Sequence, residues 1–193
     1  MLKFLASVLD QMDLAFEHIG KGSVHDARFA LMLTDNAVEL AIHELANNKH
    51  AEMKAWPFRE EKYPHKKELE EARGRVFEAK LKFAKLEGLV TEEQARTIAL
   101  MHNFRNELYH VGLQHEAILP NLARFYFSMA CGVLADYPIR YFSYWHDIQL
   151  PERSRKYFTS RGKHSPAEMG ISPKPAERWK PSAGTRRRRR SGL

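Results

Sequence analysis

Apolar residues recur every three or four positions along most of the first 136 residues, and strand-like alternation persists nowhere. Leu5, Leu9, Met12, Phe16 and Ile19 fall on one helical face before Gly20-Lys21-Gly22-Ser23 breaks the chain. From Val24 to about Trp56 there is neither Gly nor Pro, and Phe29, Leu33, Ala37, Leu40 and Leu45 supply a second apolar stripe. Pro57 and Pro64 bracket an expected loop, and a charged helix is expected from about Lys66 to Leu86, stopped near Gly88. Thr91-Glu92-Glu93-Gln94 has the spacing of a capping box, in which Thr91 and Gln94 satisfy free N–H groups reciprocally, so a helix should start there. Another runs from Pro120, well placed at a first helical position, to Asp136, and aromatic-rich residues 139–149 form a last short helix or packed extension. The pattern predicts an all-α protein, an up-and-down helical bundle of about five helices spanning residues 1–150.

Past Pro151 the character changes. Five of the nine prolines lie in residues 151–193, with Ser, Gly and the unbroken run Arg186, Arg187, Arg188, Arg189 and Arg190. Such a segment buries too little apolar surface to offset the entropy of ordering, so a disordered basic tail is expected. The net charge of +7 is a property of this tail, which holds 13 Lys/Arg against 3 acids. Residues 1–150 hold 18 Lys/Arg and 21 acids, and so offer no broad cationic face for nucleic acid.

Cys131 is the one cysteine, which excludes an internal disulfide framework or a cysteine-based zinc site and fits a reducing compartment. Asp10 and Asp13 interrupt the apolar N-terminus before it reaches signal-peptide length, and the apolar stretch from Phe125 to Ala135 is too short to span a bilayer. A soluble, cytoplasmic protein without membrane partners is expected.

Chemistry is suggested by one stretch, Arg105-Asn106-Glu107-Leu108-Tyr109-His110. Projected at about 100° per residue, Ala95, Ile98, Met101, Phe104, Leu108 and Val111 form the core stripe. His102, Asn106 and His110 recur on roughly the opposite side, with Arg105 and Tyr109 flanking them. A guanidinium suits phosphate oxygens, and an imidazole titrates near neutrality and moves protons. The same residues admit a structural reading, in which Arg105 pairs with Glu107 or Asp136 and Tyr109 is partly core.

The spacing of Arg105 and His110, with Asn106 after the arginine, resembles the R-x4-6-H signature of HEPN domains, helical modules of toxin, antiviral and RNA-processing ribonucleases. The helix carrying Asp35-Asn36-Ala37-Val38-Glu39-Leu40 also resembles that family's long second helix. The resemblance implies a metal-independent endoribonuclease of toxin or phage-defence type that needs no cofactor. In it the ribose 2′-hydroxyl attacks the adjacent phosphodiester, leaving a 2′,3′-cyclic phosphate and a 5′-hydroxyl. Arg105 would hold the non-bridging oxygens, His110 would carry the proton, and Asn106 would orient either. Tyr109, His102 and Glu39 are supporting candidates, Glu39 because some relatives carry an acidic residue on that helix. The family also implies a homodimer whose two motif helices line one RNA groove, and an antitoxin or other regulatory protein as a further partner. Relatives silenced by adenylylation carry a tyrosine two residues after the histidine, where this chain has Gly112.

Some HEPN domains are non-catalytic, so a module that binds RNA or a protein is the alternative, and a regulatory partner of a neighbouring enzyme is a third. In the tail, Arg186, Arg187, Arg188, Arg189 and Arg190 would add non-specific affinity for RNA phosphates, serve as a nuclear-localisation run, or have no role. No metal site is expected: His43-Glu44 begins like H-E-x-x-H but ends at Asn47, and His102 and His110 are too far apart to chelate one ion alone.

Overall fold

The computed structural model describes residues 2–110, 116–137, 151–155, 157–159 and 172–173; side-chain positions in the motif extend to Leu108. Its first corner follows from local chemistry. Gly22 turns the chain with φ +76°, a conformation that costs a residue without Cβ little. Ser23 then caps the next helix, its Oγ accepting from the Asp26 N–H at 3.0 Å. The result is an antiparallel pair, α1 (Leu2–Lys21) and the 32-residue α2 (Val24–Ala55).

Helix α2 is the centre of the bundle. Against it pack α1, α4 (Lys66–Ala72), α5 (Phe77–Leu86), α6 (Glu92–His110) and α7 (Leu119–Ala135), and the short α3 (Pro57–Lys62) follows directly from its end. This is why so many of its residues, from Ala27 to Ala46, are buried on more than one side. Contacts of Asp35 with Tyr126 and of Asn48 with Tyr137 make α2 and α7 parallel. The described residues up to Tyr137 thus form an all-helical bundle, as the periodicity required.

Several expectations need correction. The loop between Pro57 and Pro64 contains α3, which starts on a proline suited to a first helical position. The single helix expected over 66–86 is two, α4 and α5, parted at Arg73-Gly74-Arg75-Val76, where glycine disfavours helix. The break lets Leu69 and Ala72 on one side, and Phe77, Leu81 and Phe83 on the other, all reach the core. In α1 and α2 the expected stripes hold for Leu5, Leu9, Met12, Ala37 and Leu45, whereas Phe16 and Phe29 are about half exposed. The capping box at Thr91 is formed, with Gln94 N–H to Thr91 Oγ1 at 3.2 Å and Thr91 N–H to Gln94 Oε1 at 2.8 Å.

Within the segment expected to be a disordered tail, the structure describes a short helix packed on α1. Helix α8 (Glu152–Arg155) lies on α1, where Arg153 pairs with Glu17 and the buried Tyr157 donates its hydroxyl hydrogen to Asp13. An aromatic ring and a buried carboxylate needing a donor give this stretch the anchor that its composition conceals. Two-residue strands β1 (Phe158–Thr159) and β2 (Ser172–Pro173) pair antiparallel beyond it. Residues 139–149 lie outside the described residues, and so does the whole arginine run expected to bind RNA: Arg186, Arg187, Arg188, Arg189 and Arg190. Among those described, no helix is long and apolar enough to cross a membrane.

Candidate functional site

Helix α6 carries the motif, and α2 governs what its side chains can do. Asp35 sits on the buried face of α2, between Leu31 and Val38, with none of its side chain exposed. A carboxylate there requires donors, because an unpaired buried charge costs several kcal/mol, about 3–5 when one partner of a pair is removed. Helices α6 and α7 supply them. Arg105 Nε and Nη2 both lie 2.9 Å from Asp35 Oδ2. His102 Nδ1 lies 2.9 Å from the same oxygen, and the Tyr126 hydroxyl donates to Oδ1 at 2.9 Å. Since the carboxylate only accepts, His102 carries its proton on Nδ1.

The network extends one turn along α2. Glu39 Oε2 stands 3.7 Å from Arg105 Nη2, and its other oxygen receives Lys80 Nζ of α5 at 3.0 Å. The His102 ring lies flat on Phe77, centroids 3.6 Å apart and planes 6° off parallel. Burial, with the Asp35 charge as the next cause, pushes the Tyr126 phenol well above its ordinary range, so it remains a donor. Two carboxylates thus face one guanidinium and one ammonium, and the cluster is closed in charge.

These positions change the picture drawn from the helical projection. His102 and Arg105 do not face away from the core. Arg105 follows Met101 by four residues and precedes Leu108 by three, both buried, so it shares their side of the helix. Its partner is Asp35, 70 positions away, and neither Glu107 nor Asp136. Glu39 meets the motif arginine at 3.7 Å, and Asn106 is half-buried. Tyr109 and His110 are the last residues of α6. Their side chains, and Gly112, lie outside the described positions.

Sequence reasoning missed Asp35 and Tyr126. The signal for Asp35 was present: a charged residue at i+4 from Leu31 and i−3 from Val38 interrupts an apolar face, and such a residue is ordinarily paired.

Arg105 also borders solvent, with 24% of its side chain exposed. Beside it opens a cleft of about 430 Å³, lined by Leu14 and His18 of α1, Phe29, Met32, Leu33 and Asn36 of α2, and Arg105 itself. At the same end of the bundle, Arg28 Nη2 donates to the Leu108 carbonyl at 2.7 Å, tying the last turn of α6 to the first turns of α2. A cation there also opposes the negative end of the α6 dipole.

Asp35, Glu39 and His102 bring three ligand atoms within 4.8 Å of one another. A divalent ion would have to displace Arg105 and Lys80, which already match both carboxylates, so the set reads as a salt-bridged core. No protein-family model matches the chain, and no characterised protein or solved structure does either.

Proposed function

We propose that this chain is a metal-independent endoribonuclease of the HEPN type, acting by 2′-hydroxyl attack on the neighbouring phosphodiester. Arg105 would hold the phosphate oxygens, Asn106 would orient the phosphate or His110, and His110 would move a proton. The observation that carries the reading is Arg105, anchored by Asp35 through Nε and Nη2 yet part-exposed at the wall of a cleft. A guanidinium fixed in this way loses little further freedom when its remaining N–H groups meet an anion. Phe29, 52% exposed on the same wall, offers a face on which a base can stack. The five tail arginines, Arg186 through Arg190, would add phosphate affinity without specificity. A second copy would bring its own motif helix to the groove and exclude water.

The non-catalytic module is favoured by a specific observation too: Asp35 and Glu39 already balance the charge that Arg105 and Lys80 bring. Incubating purified protein with single-stranded RNA in EDTA separates the two. Cleavage leaving cyclic phosphate ends, lost in His110→Ala, supports the enzyme. Binding without scission supports the module. Light scattering reports the dimer.

A further inference from the structure

One edge of the Arg105 guanidinium is unspent. Its Nε and Nη2 turn inward onto Asp35 Oδ2, and Glu39 stands off at 3.7 Å from Nη2, beyond hydrogen-bond reach. Nη1 bonds to no described residue, yet the side chain lines the cleft beside α1 and α2. We infer that this cleft is a binding site for a small organic monoanion with an apolar body, an aryl- or alkyl-carboxylate, whose carboxylate is held by the outer edge of Arg105.

The walls set the rest of the ligand's chemistry. Leu14 of α1 and Met32 and Leu33 of α2 are half-buried along the cleft, and the exposed Phe29 ring stands at one end. Phe29 and Asn36, seven residues apart on one face of α2, set a length of about 10 Å. Apolar walls, a few polar groups and about 430 Å³ of space are the usual make-up of a small-molecule site. The other polar lining groups are already held, His18 Nδ1 by Asp26 at 2.7 Å and Asn36 Nδ2 by Gln11 Oε1 at 2.6 Å. None of the described lining residues is acidic, so an anion meets Arg105 without repulsion from the walls.

Charge decides which anion fits. Asp35 and Glu39 balance Arg105 and Lys80, which leaves no spare cation for a dianion such as a phosphate monoester. A carboxylate carries one charge, and its two oxygens match the planar N–H fork. Its chain or ring adds binding by leaving water for Leu14, Phe29, Met32 and Leu33. This goes beyond the ribonuclease reading, because the site needs no RNA. The ligand would nevertheless occupy the guanidinium edge which that reading assigns to the scissile phosphodiester.

The test titrates the full chain with 3-phenylpropionate, followed by shifts of backbone amide signals in NMR. Saturable shifts centred on the lining residues are expected. The neutral 3-phenylpropionamide should bind roughly 10–100-fold more weakly, since it lacks the charged partner of Arg105. Phe29→Ala, a change at an exposed ring, should weaken the acid with an unchanged melting temperature. Arg105→Lys, assayed well below its melting temperature, should bind acid and amide alike. No saturable shift, an amide as tight as the acid, or a Phe29→Ala variant that binds like the parent would overturn the site. So would propionate or inorganic phosphate binding as tightly as 3-phenylpropionate, which would mean an adventitious ion only. The titration contains no RNA, so its result is read separately from any cleavage assay.

Discussion

Asp35 and Arg105, 70 positions apart, meet at 2.9 Å in the interior, and the carboxylate has no exposed surface. The arginine singled out for phosphate chemistry is thereby also a structural residue. Replacing Asp35 with Ala leaves Arg105, His102 and Tyr126 without their shared acceptor. The expected cost is about 3–5 kcal/mol, read from urea unfolding. Tyr126→Phe removes a single hydrogen bond to a charged acceptor and should cost about 1.5–3 kcal/mol. A smaller loss in Asp35→Ala than in Tyr126→Phe would contradict the network described.

Arg105→Ala is consequently a poor probe of catalysis by itself. It strips Asp35 of its cation and should lower stability by about 3 kcal/mol, measurable by the same denaturant titration. Loss of cleavage in that variant counts as catalytic only if the protein remains folded at the assay temperature.

The Thr91 capping box should be visible in stability without touching the site. Thr91→Ala removes the acceptor for the Gln94 N–H and should cost about 1 kcal/mol, detected as a lower melting temperature by calorimetry.

Tyrosine ionisation gives a pH prediction with a definite sign. Burial is the main cause holding the phenols of Tyr63, Tyr126 and Tyr137 above their usual value of 10.0, with the neighbouring Glu87 and Asp35 carboxylates reinforcing Tyr63 and Tyr126. A raised folded-state value adds stability that is fully present below pH 10.0 and is lost as pH rises further, because the unfolded chain then releases protons that the fold retains. Absorbance at phenolate wavelengths should show these tyrosines ionising late, together with alkaline unfolding. Early, reversible ionisation of all seven tyrosines would contradict their burial.

Tyr157 tests whether the chain beyond Pro151 belongs to the fold. With 1% of the residue exposed and its hydroxyl on Asp13, Tyr157→Ala should destabilise by about 3 kcal/mol. A melting curve unchanged from the parent would mean that this segment does not pack on α1.

Helix positions were legible because periodicity and capping are local. The Thr91 box and the Gly20–Ser23 corner need only a few adjacent residues, and both are where the spacing put them. The split at Arg73–Val76 was harder, since the charged helix pattern continues across Gly74 and only packing of Leu69 and Phe77 rewards the break. Tyr157 was hidden by the Pro- and Arg-rich composition around it.

By itself the sequence determined the helical character of the bundle and one polar hexapeptide on a helix, since hydrogen bonding within a helix depends on neighbours along the chain. Only the tertiary structure decided which way Arg105 and His102 face. Their orientation is set by a buried carboxylate on another helix, whose demand for donors arises once α2, α6 and α7 have excluded water around it.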